Sequence, residues 1–241
     1  MSSFEWLAAG TAVLAGAIAA VSGFGVGSLL TPVLMLSMPT TEAVAVLAIP
    51  HAVVTAVRLW RLRRDVDFET FRQFGVASAI GGLAGAFLQP HLSSRLLAGT
   101  LGALLLVSGT TEVLRRPVPL PRTPAFRLIG GTLSGVFGGL VGNQGGIRAA
   151  ALLGFNLNPL QIVATATASA ILVDAARVPI YLYYAGPAIA AKARLAALIT
   201  TAALVGTYVG IKVLARLDQR VYRRLVGVLL LILGAWLLVQ L

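Results

Sequence analysis

The chain has 241 residues, 58% hydrophobic and only 11% charged, and a mean hydropathy of +0.90; an ordinary soluble domain carries about 25% charged residues. So many long apolar runs exclude a soluble globule, and their continuity excludes a β-barrel, whose strands alternate. The net charge of +11 sits mostly in short stretches between apolar runs, which marks one side of a bilayer rather than a nucleic-acid surface, while zero Cys and two His exclude disulfides, thiol chemistry and a histidine metal cluster.

The first apolar run, 6–22, has no Lys or Arg before it. It lacks the basic region of a secretory signal and is expected to stay as a helix. A glycine cluster follows, Ser22-Gly-Phe-Gly-Val-Gly-Ser28, and then a short run, 28–36. Nine helical residues reach about 14 Å, half the hydrocarbon thickness. The run 41–60 contains Pro50, His51 and Arg58, and ends in a basic loop expected to be solvated. Runs 73–89 and 94–113 complete the first half. Residues 115–124 hold four prolines, which forbid a continuous helix.

The second half repeats this order. Run 126–141 leads to a second cluster, Gly138-Gly-Leu-Val-Gly-Asn-Gln-Gly-Gly-Ile-Arg148, and a short run, 147–155. Runs 160–183, 193–213 and 221–240 follow. A shift of 119 residues superposes Gly16 on Gly135, Gly23 on Gly142, Gly27 on Gly146 and Arg58 on Arg177. Glycine matches are cheap in this composition, but intramembrane arginines are rare. The chain is therefore divided into two membrane repeats, 1–118 and 119–241, forming one transporter domain.

Positive charge decides between parallel and inverted repeats. Sixteen Lys/Arg lie outside Arg58, Arg148 and Arg177. An even number of crossings per half splits them 10 to 6; an odd number splits them 13 to 3. The cleaner split makes the repeats inverted, a recurrent transporter plan. It places both termini outside. The expected fold is an all-α integral membrane protein with two inverted-topology repeats, each of about four full transmembrane helices plus one short broken helix at a glycine-rich motif. Whether the short segments cross is open.

Glycines near a helix end allow unusual backbone angles. The half-helix after such a break offers free N–H groups and a positive dipole end, which favour an anion. Asn143 and Gln144 add amide donors, and Arg148 a fork suited to a sulfonate, sulfite or carboxylate. Broken helices at matching positions in two halves point to a transport site; close packing of small residues is the competing reading. The candidate substrate-binding residues are Gly23, Phe24, Gly25, Gly27, Gly142, Asn143, Gln144, Gly145, Gly146 and Arg148. Arg58 and Arg177 are candidates as a symmetry-related pair, against snorkelling for Arg58 and an ion pair with Asp174 for Arg177. His51 and Asp174 are coupling candidates, and Pro50 and Pro179 gating candidates. No metal or cofactor is expected.

The glycine break followed by a proline-containing short helix, in Gly23-Phe-Gly-Val-Gly-Ser-Leu-Leu-Thr-Pro32 and again, as a break, in 138–146, resembles the TauE/SafE family, the sulfite and organosulfonate exporters. The resemblance spans nearly the whole chain. Two departures stand out: Val26 interrupts a glycine run, and Ala151 stands where the repeat would match Pro32. The resemblance implies a multi-pass transporter of the bacterial inner membrane that exports small sulfur-containing anions. The expected partners are that anion and the bilayer, not nucleic acid, and a homodimer is compatible with the sequence. An anion channel is the alternative. An intramembrane enzyme is disfavoured, because H-E-x-x-H, G-x-S-x-G and a second buried aspartate are all absent.

Overall fold

The computed structural model describes residues 2–23, 25–114, 123–213 and 218–241. Phe24 and most of the proline-rich linker lie outside the described residues. The first half contains α1 (Ser3–Ser22), α2 (Val26–Leu34), α3 (Thr40–Leu62), a single turn α4 (Phe68–Thr70), α5 (Val76–Leu88) and α6 (Ser94–Leu114). A π-helical turn, Phe71–Gly75, joins α4 to α5. The second half contains α7 (Pro124–Val141), α8 (Gly145–Leu152), α9 (Pro159–Ala191), α10 (Ala193–Val213) and α11 (Gln219–Val239). Capping boxes start two of these helices: Ser2 with Glu5 at α1, and Asn158 with Gln161 at α9. Each satisfies two backbone donors that a helix start leaves open.

Among the described residues, α1, α3, α6, α9, α10 and α11 are long and apolar enough to cross a membrane. Helix α5 has only 13 residues, and reaches spanning length only by running on from α4 through the π turn.

Contacts at the helix ends sort the loops onto two faces. On one face Arg61 stacks over Tyr208, Glu112 pairs with Arg223 at 2.7 Å, and Arg127 stacks over Phe155. On the other, Arg194 lies 3.9 Å from Glu5, and the Thr40 hydroxyl bonds to the Ser94 carbonyl. Met35, just past α2, sits there with Arg95 and Leu241. So α2 ends on the face from which α1 starts. Likewise α8 runs back toward the face where α7 begins, since Phe155 meets Arg127. Each short helix thus ends on the face from which the longer helix before it starts.

Packing exchanges the halves. Helix α1 packs chiefly on α10, α7 on α5, and α6 on α11. Small residues make these approaches close: a Cβ on Gly135 would strike the Ser78 carbonyl, and one on Gly206 the Val13 carbonyl. In a bilayer, with no hydrophobic drive between helices, such contact supplies the dispersion energy of association. At the centre α3 and α9 cross antiparallel. His51 meets Asp174, and two turns further along α3 Arg58 meets Thr167, two turns back along α9.

The prolines behave differently from expectation. Helix α3 runs unbroken through the buried Pro50. In α9 the non-helical residue is Ala185, with φ −127°. It lies two residues before Pro187, while Pro179 sits exposed inside a continuous stretch. The backbone around Pro179 keeps helical φ/ψ.

Candidate functional site

Both glycine breaks have the same backbone cause. Helix α1 ends at Gly23, φ 78°, and α7 at Gly142, φ 69°, both left-handed. Any side chain there costs about 1–2 kcal/mol. Each glycine N–H bonds four residues back, to the Ala19 and Gly138 carbonyls. At Gly25, φ is 132°. The two breaks touch: a Cβ on Gly27 would strike the Gly142 carbonyl. The Ser28 hydroxyl donates to Asn143 Oδ1 at 3.1 Å, tying the start of α2 to the second break.

Two arginines complete the breaks. Arg58 donates NH1 to the Ala19 carbonyl at 2.8 Å, NH2 to the Gly23 carbonyl at 3.3 Å and Nε to Thr167 Oγ1 at 3.1 Å. Arg177 donates NH1 to the Gly138 carbonyl at 2.6 Å, and its Nε and NH2 lie 2.9 and 2.8 Å from Asp174 Oδ1. Ala19 and Gly138 are themselves 119 residues apart. The pair thus binds equivalent helix ends, giving the Ala19 and Gly138 carbonyls a second donor beside the glycine N–H groups, where the dipole is negative. Tyr181 adds a hydroxyl bond to the Gly139 carbonyl.

Arg148 is placed differently. It is buried, and among the described residues its side chain makes one hydrogen bond, from NH1 to the Ala166 carbonyl at 3.2 Å. Its Nε and NH2 are buried and have no partner among the described residues. The same holds for Asn143 Nδ2, both ends of the Gln144 amide and Thr31 Oγ1. Buried donors in native proteins almost always have partners, so this concentration of open ones is unusual.

Most of these groups line one narrow cavity of about 20 Å³, whose walls include Gly23, Gly25, Gly27, Ser28, His51, Arg58, Gly142, Asn143, Gln144, Gly145 and Arg148. Thr31, Arg177 and His51 also line a smaller void next to it. Gly146 stands on the far side of the first turn of α8, against Ser108. Thus the structure brings together the candidate glycines Gly23, Gly25, Gly27, Gly142 and Gly145, but not Gly146, plus Asn143, Gln144, Arg148, Arg58 and His51. Asp174 sits behind His51, with Nδ1 to Oδ2 at 2.7 Å. Pro50 and Pro179 do not line the cavity.

Sequence reasoning missed Ser28 and Thr31. Their signal was a pair of hydroxyls one turn apart at the start of the first short helix. Thr165 and Thr167, which alternate along α9, are committed to the fold: Thr165 accepts from the Asp67 amide and Thr167 from Arg58.

Three guanidiniums and one carboxylate are buried together here. Arg177 is paired with Asp174, and Arg58 is surrounded by carbonyls. Arg148 alone retains most of its hydrogen-bonding capacity. A buried charge in such a setting needs a counter-charge, so the arrangement suits a small anion with several acceptor oxygens. No cluster of three or more candidate metal ligands occurs among the described residues.

The family model described as "Sulfite exporter TauE/SafE" matches residues 8–237. No curated protein and no solved structure matches the chain.

Proposed function

The chain belongs to the TauE/SafE sulfite exporter family and is a multi-pass membrane transporter, and from that premise we propose that it exports a small sulfur oxyanion by alternating access. The substrate class is sulfite, sulfoacetate or a related organosulfonate. The observation that carries the reading is the set of open buried donors, Arg148 Nε and NH2 with Asn143 Nδ2 and Gln144 Nε2, at one cavity between the breaks. A tetrahedral or pyramidal oxyanion presents three acceptors and matches a guanidinium fork plus amides. The first turns of α2 and α8 also border the cavity and contribute partial positive charge.

The two halves act as inverted repeats. The antiparallel crossing of α3 on α9 and the return of each short helix to its own face support this. The face carrying Arg61, Arg127 and Arg223 is cytoplasmic by its charge, which puts the termini outside the plasma membrane. Inside-negative potential then drives the anion outward. The protein carries its substrate and performs no chemistry on it.

A thermal-shift and calorimetric screen of purified protein against sulfite, sulfoacetate and methanesulfonate tests the reading. Saturable stabilisation is expected, with Arg148→Gln weakening binding about 100-fold, in the range for a buried charged partner. Stabilisation by cations or neutral solutes and by no anion would overturn it. Saturable counterflow in proteoliposomes distinguishes a carrier from an anion channel, which would show single-channel currents.

A further inference from the structure

His51 has no part in capping either break, yet it stands in the wall of the anion cavity beside Arg58 and Arg148. Its Nδ1 lies 2.7 Å from Asp174 Oδ2, and the other carboxylate oxygen is held by Arg177. With both oxygens engaged as acceptors, Asp174 fixes a proton on Nδ1, and the titrating atom of the ring is Nε2. No hydrogen bond to Nε2 occurs among the described residues.

The pair also breaks the internal symmetry. A shift of 119 residues maps His51 onto Ala170 and Asp174 onto Thr55. Those two are equally buried, at 1% exposure each. The α3–α9 crossing therefore packs at its mirrored position with a methyl and a hydroxyl. An imidazole and a carboxylate on one side only are not a requirement of packing. The charged groups facing the ring are Asp174 and Arg177 from α9, Arg58 from α3 itself and Arg148 from α8; α2 and the α7–α8 turn present backbone, hydroxyl and amide groups.

We propose that His51 is a proton-binding site of the anion cavity, so that the anion and one proton are bound together and carried in the same direction. The proposal rests on the anion-site reading above and adds a co-transported proton to it. Attraction between an imidazolium and an anion in a poorly screened cavity is strong. Linkage makes it reciprocal: whatever factor the proton adds to anion affinity, the anion adds to proton affinity. Mutual enhancement loads both on the carrier and both leave together, whereas exchange would require each to expel the other. A monovalent sulfonate then moves without net charge, so the membrane potential that would drive the bare anion no longer acts on it and its own concentration gradient drives export.

Methanesulfonate is the probe, because sulfite takes up protons itself near neutrality while a sulfonate stays ionised. Calorimetric titration of the purified protein, in pairs of buffers with different ionisation enthalpies, counts the protons taken up per anion bound. The expected count approaches one on the alkaline side of the histidine titration, with Kd rising toward higher pH by at most about tenfold per unit, the limit for one linked proton. His51→Asn keeps a donor for Asp174 and cannot titrate, so it should bind with a Kd independent of pH and take up no proton. Proton-free binding by the natural protein, or undiminished uptake by His51→Asn, would overturn the coupling while leaving the anion site standing. If that variant does not fold, the proton count of the natural protein decides alone. No methanesulfonate binding at any pH would overturn the anion site and the coupling together.

Discussion

At Gly23 and at Gly142 the chain does the same thing. A long helix ends on a left-handed glycine, an arginine 35 residues later in sequence reaches back to its last carbonyls, and a short helix returns to the starting face. The chemistry offered to the cavity is not the same. Asn143, Gln144 and Arg148 stand where the first half has Phe24, Gly25 and Leu29. Asp174 stands where it has Thr55. The duplicated features are those that hold a broken helix in a membrane, where an unsatisfied carbonyl costs several kcal/mol. The features found once are the open donors at the cavity, the ones to which the proposed function assigns the anion. A pseudo-symmetric scaffold thus supports an asymmetric site, and an anion would be held chiefly by the second half.

The comparison can be broken by mutation at its paired elements. Arg177→Ala should destabilise most, by about 3–5 kcal/mol, because it strands the buried Asp174 carboxylate as well as uncapping α7. Arg58→Ala removes hydrogen bonds to neutral acceptors only and should cost about 1.5–3 kcal/mol. Chemical unfolding in detergent measures both; equal losses would mean that Asp174 does not distinguish the halves.

A smaller effect is expected at the breaks themselves. Gly23→Ala and Gly142→Ala should each cost about 1–2 kcal/mol through the left-handed backbone, and similar values would sharpen the view that the two turns are equivalent. A large excess at either one would point to a ligand-bearing role for that turn alone.

Smallest of all, Asn143→Ala and Gln144→Ala should weaken anion binding by up to about tenfold each, the worth of one neutral donor, with a further stability loss of about 1 kcal/mol at Asn143, whose Oδ1 accepts from Ser28. Calorimetry with methanesulfonate measures this. Unchanged affinity in both would move the site away from the second break.

The arginine spacing shows how far a sequence can be read. Arg58 and Arg177 were visible as a pair because charge inside an apolar run is rare and the shift of 119 is shared. Their work at the helix ends was not visible, since Ala19 and Gly138 are ordinary small residues whose carbonyls take an arginine donor beside the glycine N–H only where the helix stops. Asp174 was seen beside Arg177, at helical spacing. Its bond to His51 spans 123 residues of chain and exists only because α3 crosses α9. The same holds for Ser28 with Asn143, joined across the two halves.

Local properties were settled by the amino-acid order alone. Apolar length gives membrane helices, because a bilayer leaves the backbone no other partner. Glycine placement gives the breaks, through the left-handed turns at Gly23 and Gly142. The tertiary structure decided what depends on two segments meeting: the return of α2 and α8, the kink at Ala185 rather than Pro179, and which arginine is spent. Arg58, Arg148 and Arg177 are identical side chains in similar apolar surroundings. Only the positions of neighbouring carbonyls and of one carboxylate leave Arg148 with donors to spare, and a hydrogen bond is satisfied by geometry that no single segment contains.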